Sequence, residues 1–555
     1  MLTRRQFGLR LGGAAALAGI APARLSAAVQ SPGSLDHAMA AIAAFAEQHR
    51  AYMNLPALTL GIAIPGGPPL VRNFGYAELG ARTPITDETL FQVGSISKLM
   101  VAAVIHQLVA EGRFTLTDPI AKLMPDIPVP AGDGINVQQL LDHVAGLAAD
   151  APLFPPGGLW TGFKPGTHWS YSNTGYDILG KLAEHYGGKP LDRLLEERLF
   201  KPLGMGRTTG AITSDRRSRY AQGYEAADNF APFVRGTALA PAAWVDVTFA
   251  AGSVTSTASD MTFLMRSLAD AAQGKGGMGL SPAAGLAYAR HKVASDSPAM
   301  HYGNGLMHVG TGSRSYLHHT GGMVSFSSSF HLDEATGVGA FASSSITAFA
   351  AYRPRQLTLF AVGAINAALA GRPLPTPPRL TPRLTNATDY VGRYSGPAGA
   401  FEVKAAPNGL GIVADGREAA LDPWGEDLFR TLHPRFRQFS IMFERPQKAV
   451  AGASWGEDSF SRAGSTWRPQ PSDPELRKLA GRYADDNPWF VGAFVIERGG
   501  KLWLGTEVPL TRIDDNLWRL GSELWSPERV AFLNPIDGRP QTMLLSGEKF
   551  VRHDI

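Results

Sequence analysis

Between Phe91 and Met100 the chain reads FQVGSISKLM, placing Ser95 and Lys98 three residues apart where a glycine-led loop turns into an apolar run. On a helix such residues share a face, so the Lys98 amine can reach the Ser95 hydroxyl. A serine hydroxyl becomes a nucleophile once a neighbour takes its proton, and a partly desolvated lysine does so because burial lowers its pKa. At a helix start the Ser95 N–H would also be unpaired and open to a developing oxyanion. Taken alone, a capping serine followed by a surface lysine explains such a pair more often than catalysis does. Two further matches show how little spacing carries by itself. Ser546-Gly-Glu-Lys549 repeats S-x-x-K in a β-rich segment, and Gly452-Ala-Ser454-Trp-Gly456 has G-x-S-x-G spacing with a polar stretch behind it. Neither is followed by an apolar helix, and context rejects both.

Ser95 has better company further along. FKPGTHWSYSNTGYDILG (Phe163–Gly180) carries Tyr171 and Asn173 in a loop just before a helical run. In extended backbone, residues two apart point the same way, so both can face one pocket. LHHTGGMVSFSSSF (Leu317–Phe330) places His319, Thr320 and Gly321 at the front of a small, polar strand. A strand without bulky side chains suits another backbone lying along its edge.

These residues need a scaffold, and the chain alternates helical patterns with short apolar runs over residues 35–370. LMVAAVIHQLVAEG (Leu99–Gly112) has helical spacing and a glycine stop, while ALTLGIAI (Ala57–Ile64) and VGAFASSS (Val338–Ser345) read as strands. The mixture implies one large α+β or α/β domain. GRPLPTPPRLTPRLT (371–385) holds five prolines and reads as a linker. Beyond it two segments answer one another, 386–467 and 475–555. Tyr394 and Tyr483 lie 89 residues apart, as do Arg430 and Arg519, and 90 separate Arg462 from Arg552. That constant offset marks a duplicated unit. Short alternating runs such as KLWLG and AFVIERG suit small antiparallel β-barrels or sandwiches. Seven of the ten tryptophans fall in these units, where barrel core is a more ordinary fate than a sugar-binding platform.

With 555 residues, 44% apolar and 18% charged, the composition is globular and multidomain. The absence of cysteine excludes disulfides, thiolate catalysis and Cys-based metal sites. No H-E-x-x-H occurs and the histidines are scattered, so neither a metal nor a cofactor is expected. MLTRRQFGLRLGGAAALAGIAPARLSAA, with Arg4 and Arg5 paired, reads as a twin-arginine export signal over residues 1–28, which implies a periplasmic protein. The run Leu11–Ala23 is too short to span a bilayer, and no stable membrane span is expected elsewhere. Without the signal's four arginines, 48 basic residues face 48 acidic ones, so no nucleic-acid partner is implied. The expected partner is a small-molecule or short-peptide substrate. The oligomeric state stays open, a homodimer included.

Ser-x-x-Lys, Tyr-x-Asn and then a basic residue before Thr-Gly, in that order, resemble the serine β-lactamase and penicillin-binding-protein superfamily. VQQLLDHVAGL (Val137–Leu147), LFKPLGMGRTT (Leu199–Thr209) and AAGSVTSTASDM (Ala250–Met261) resemble its class C branch. The two β units resemble, more loosely, those of three-domain D-aminopeptidases. The resemblance implies a central antiparallel sheet flanked by helices, followed by two small lipocalin-like barrels. It also implies an acyl-enzyme on Ser95, a proton managed by Lys98 and Tyr171, and substrate contacts from Asn173, His319, Thr320, Gly321 and Gly322. Which of Lys98 and Tyr171 is the base stays open. The oxyanion hole would be the N–H groups of Ser95 and Gly322. Where lactamases usually carry lysine, His319 is mostly neutral at pH 7, which favours a peptidase, amidase or esterase. A DD-carboxypeptidase, a weak β-lactamase and a non-catalytic cell-wall receptor are the other readings. By the same analogy, Asp485–Phe490 is expected to reach over the pocket.

Overall fold

The computed structural model describes residues 34–553 apart from 131–133, 229, 348–351, 381–383, 385, 408 and 486–491. The expected export signal lies outside these residues, as does nearly all of the Asp485–Phe490 loop.

The apolar stretch Ala57–Ala63 is buried along its whole length, which requires cover on both of its faces. It receives that cover inside a nine-stranded sheet running Thr83–Pro84, Leu70–Glu78, Ala57–Ala63, Gly339–Ser344, Ser327–Asp333, Arg314–Gly322, Leu306–Thr311, Met300–Gly303, Val293–Ala294. Every neighbouring pair is antiparallel. Helices Leu35–Met53 and Arg355–Leu369 pack on one face through Ile42, Phe45, Leu357 and Ile365. Helices Ser97–Ala110, Asn173–Gly187 and Ala258–Ala272 build the larger core on the other. Each fully buried Leu or Ile there contributes roughly 1.5–3 kcal/mol.

One expectation about the sheet needs correction. His319, Thr320 and Gly321 do not begin the small polar strand; they end the strand Arg314–Gly322. The serine-rich run Ser327–Asp333 is the next strand, returning antiparallel with Gly322 opposite Ser327. A reversal over Met323–Phe326 inside a nearly continuous β-like run hid the boundary. The neighbour on the other side, Leu306–Thr311, pairs only as far as His318. Residues 319–322 therefore have one edge beyond the reach of that strand, as a backbone-binding edge requires.

The two C-terminal units are closed eight-stranded barrels, spanning Gly392–Arg462 and Gly481–His553, with first and last strands paired. The repeat extends to hydrogen bonds. The Tyr394 hydroxyl donates to Tyr390 O at 2.7 Å and its counterpart Tyr483 to Leu479 O at 2.8 Å. Arg462 Nη2 donates to Val391 O at 2.6 Å and Arg552 Nη2 to Ala480 O at 2.5 Å. Among the described residues, none of the barrel tryptophans is exposed; Trp518 lies in the second barrel's core. The two rejected serine motifs are structural. Ser454 Oγ donates to Glu444 Oε1 at 2.6 Å, and Ser546 Oγ to Glu528 Oε2 at 2.7 Å.

The three bodies are locked together by buried and half-buried polar groups. Arg235 grips Asp422 of the first barrel with two bonds from Nε, at 3.0 and 3.1 Å. Arg430 donates to Phe233 O at 3.2 Å and faces Glu507 of the second barrel at 3.5 Å, both side chains buried. Removing one member of a buried pair strands the other's charge. Glu507→Ala is therefore expected to cost about 3–5 kcal/mol, read as a lower urea midpoint for the barrel transition; an unchanged midpoint would contradict the junction described.

Candidate active site

Two glycines bring the motifs together. Gly94 has φ of +57°, and a Cβ there would sit 2.6 Å from Gly322 N. A Cβ on Gly321 would lie 1.8 Å from Val93 O. The turn before Ser95 thus lies backbone to backbone against the end of the His319 strand, a contact that side chains forbid. Ser328 Oγ ties the same place, donating to Val93 O at 2.7 Å. Ser95 itself occupies a 3₁₀ turn, Gly94–Ile96, that runs straight into the helix Ser97–Ala110. Ser97 fixes the turn, donating from Oγ to Gly94 O at 2.7 Å and accepting Val254 N–H at 3.0 Å.

One turn on, Lys98 is fully buried. Its Nζ lies 3.2 Å from Ser95 Oγ, and it donates to Asn173 Oδ1 and to Ala251 O, each at 2.7 Å. Asn173 is the first residue of its helix, not a loop residue, with Ser172 as N-cap. Its amide orientation is set from both ends, because Nδ2 donates to Asp150 Oδ1 at 2.5 Å. The Tyr171 ring stands 4.9 Å from Lys98 Nζ. Burial pushes the Tyr171 phenol well up, and the Ser95 side chain only partly opposes this. A resident phenolate is disfavoured there. Behind Lys98, Asp177 Oδ1 accepts Ala251 N–H at 3.3 Å; burial raises its carboxyl, and the Lys98 charge pulls it back.

His319 comes within 6.4 Å of the Tyr171 ring but does not offer a free nitrogen. Burial pushes its pKa down to about 3, with Lys98 adding to the effect, so the ring is neutral. Its Nδ1–H donates to Thr320 O at 2.7 Å. That leaves Nε2 to accept from the Tyr302 hydroxyl at 3.2 Å. Tyr302 in turn meets His143 Nε2 at 3.1 Å, and His143 Nδ1 accepts Ser172 N–H at 3.1 Å. His143 is also held neutral by burial, so Nε2 carries its proton. A directed chain results: Ser172 N–H to His143, His143 to Tyr302, Tyr302 to His319, His319 to the Thr320 carbonyl. It joins the Tyr171 loop to the His319 strand. His318, by contrast, faces the other side of the sheet, stacked 4.0 Å from His331.

The structure therefore gathers Ser95, Lys98, Tyr171, Asn173, His319 and the Gly321–Gly322 backbone around one point. Asp150, His143, Tyr302 and Asp177 were not singled out from sequence. His143 and Asp177 lie inside the quoted segments, but nothing local marks them. Tyr302 acts from 159 residues beyond His143, and only folding reveals it.

Residues 42–362 match the Beta-lactamase family model, and the chain belongs to that family of serine hydrolases. A β-lactamase of Pseudomonas fluorescens is 33% identical over 168 residues, covering 28% of this chain and 46% of that protein. The chain spans about half the length of such relatives. Among solved structures, the octameric penicillin-binding protein homologue from Pyrococcus abyssi has a TM-score of 0.54 at 21% identity, covering 76% of this chain and 99% of that one. The D-amino acid amidase from Ochrobactrum anthropi SV3 has a TM-score of 0.51 at 24% identity, covering 60% and 99%. Both share the fold. Among the described residues no helix is long and apolar enough to cross a membrane.

Tyr302→Phe removes the hydroxyl that serves both histidines and leaves two buried ring nitrogens short of a partner. It is expected to lower stability by about 1–3 kcal/mol, measured by chemical denaturation, and to reduce turnover; wild-type values for both would contradict the chain. The histidines also set an acid limit. His319 and His331 have folded pKa values of about 3, below the 6.5 of an exposed ring. Their neutral forms favour the fold fully above pH 6.5, and that contribution is lost as pH falls from 6.5 towards 3. Unfolding free energy is expected to drop between pH 7 and pH 4, with proton uptake on unfolding; a flat profile would contradict their burial.

Proposed function

We propose that the chain is an exported serine hydrolase that forms an acyl-enzyme on Ser95 and acts on short peptides or amides, D-residue-containing ones included. The observation that carries this reading is the bonding of Lys98. Asn173 Oδ1 and Ala251 O each accept from Lys98 Nζ at 2.7 Å, and both bonds can stay in place when the ammonium gives up its remaining proton. The lone pair then faces Ser95 Oγ at 3.2 Å. On this reading a deprotonated Lys98 is the base, and it takes the hydroxyl proton as Oγ adds to the substrate carbonyl. The N–H groups of Ser95 and Gly322 receive the oxyanion. Tyr171, whose ring stands 4.9 Å from Lys98 Nζ, relays the proton from Lys98 to the departing amine as the carbon–nitrogen bond breaks. Water repeats the sequence on the acyl-enzyme with the roles of attacking and leaving group exchanged, and releases the acid.

The preference for amides over β-lactams rests on His319. Neutral, and with both ring nitrogens engaged by protein, it supplies no charge for a substrate carboxylate. The D-residue preference draws on the fold shared with a D-amino acid amidase and on the twin barrels. Export draws on Arg4–Arg5 and the apolar run behind them.

The purified chain is expected to release anilide from D-aminoacyl anilides faster than it opens a chromogenic cephalosporin. Ser95→Ala is expected to reduce turnover by on the order of 10³-fold or more; unaltered turnover would remove the mechanism. Acyl esters outpacing the anilides in the same assay would move the reading to a carboxylesterase.

A further inference from the structure

The catalytic cleft has a support that comes from another domain. The loop following Leu517–Leu520 in the second barrel, up to Arg529, docks on residues 146–168 of the catalytic domain. Trp525 stacks on His168 with ring centroids 4.9 Å apart and planes within 6°. Trp160 Nε1 donates to Pro527 O at 2.7 Å. At Gly162 a Cβ would stand 2.5 Å from Trp525 O, so the two backbones touch.

At the centre of this contact is a buried carboxylate. Glu528 is 3% exposed, and its Oε1 accepts the Ala149 N–H at 2.6 Å. Its Oε2 accepts from Ser546 Oγ at 2.7 Å, and Ser546 Oγ in turn accepts Arg529 N–H at 3.1 Å. A buried carboxylate is costly unless hydrogen-bonded, so this one is held firmly where its donors are. The Ala149 peptide is gripped on its other side by the helix that carries Asn173. Ala149 O accepts Asn173 N–H at 2.6 Å and Thr174 N–H at 3.2 Å. The next residue, Asp150, holds the Asn173 amide, whose Oδ1 faces Lys98.

We propose that Glu528 is a positioning residue for the Asn173–Lys98 pair, acting across the domain border through the Ala149–Asp150 backbone and braced by Ser546. The proposal rests on reading Ser95 as the nucleophile. Its consequence is that the second barrel is part of the catalytic apparatus without touching substrate. Misplacement of a reacting group by about 1 Å can cost on the order of 10²-fold in rate. The links from Glu528 to Lys98 are a few short hydrogen bonds and one peptide bond, with little slack.

The test uses the full chain and two readouts: turnover of a chromogenic acyl ester, and the rate at which a fluorophosphonate adds to Ser95, followed by intact mass. Glu528→Ala is expected to slow both by roughly 10- to 100-fold. Glu528→Gln keeps an acceptor for Ala149 N–H and is expected to stay within about threefold of wild type. Leu502→Ala, a cavity in the same barrel's core, is expected to lower the unfolding midpoint while sparing the labelling rate. Should Glu528→Ala fail to fold, Ser546→Ala, which loosens the brace alone, is expected to slow labelling severalfold. Wild-type labelling by the folded Glu528→Ala, or by Ser546→Ala in its place, would overturn the proposal alone. A wild-type chain that turns over ester without an adduct at Ser95 would overturn the nucleophile reading, and this proposal with it.

Discussion

A lysine amine enclosed by protein is the constraint around which the catalytic domain is arranged. Lys98 is fully buried, and an amine in that position must find acceptors or lose its place. The acceptors come from far along the chain: Asn173 at the head of one helix, and the Ala251 carbonyl ahead of another. Tyr171 and Tyr176 present ring faces at 4.9 and 5.4 Å, which adds a weak attraction for whatever charge the amine carries. Most of the domain's organisation can be traced to the need to bring these groups to one nitrogen.

The sheet contributes chiefly by being small where it matters. Glycines at 94 and 321 let the turn before Ser95 press against a strand end, and Ser328 closes the gap with a hydrogen bond to Val93. Larger side chains would hold the two backbones apart and move Gly322 away from the turn that carries Ser95. The line of hydrogen bonds from His143 through Tyr302 to His319 works across the opposite wall. It sets the distance between the Tyr171 loop and the strand without placing a charge in the cleft.

The residues of the site were largely legible in sequence because their spacing reflects local geometry. Ser95 and Lys98 lie on one helical face, and Tyr171 and Asn173 straddle an N-cap. The duplication was legible too, since a fixed offset survives divergence, and its partners form equivalent hydrogen bonds. What sequence left unread depends on long-range packing. Tyr302 reaches His143 from 159 residues away, and Glu528 reaches Ala149 from 379. The small run after His319 was misplaced for a different reason: a four-residue reversal between a strand that ends in Thr-Gly-Gly and one that starts in Ser-Ser-Ser leaves almost no pattern in composition. His319 itself, read as a weak substrate contact, proves to be committed on both nitrogens to protein partners.

The twin barrels use one corner in two ways. In the first barrel the segment after Arg430 carries Phe439 against Phe494 of its twin, ring centroids 5.2 Å apart, and Ser440 onto Glu507 at 2.9 Å. In the second barrel the corresponding segment carries Trp525 and Glu528 onto the catalytic domain. Each copy therefore grasps the body ahead of it with the same part of its architecture. Head-to-tail contacts of this kind propagate into filaments unless something terminates the series. Here the contacts close instead: the catalytic domain receives the second barrel's grip through Ala149 and itself holds the first barrel through Arg235 and Asp422.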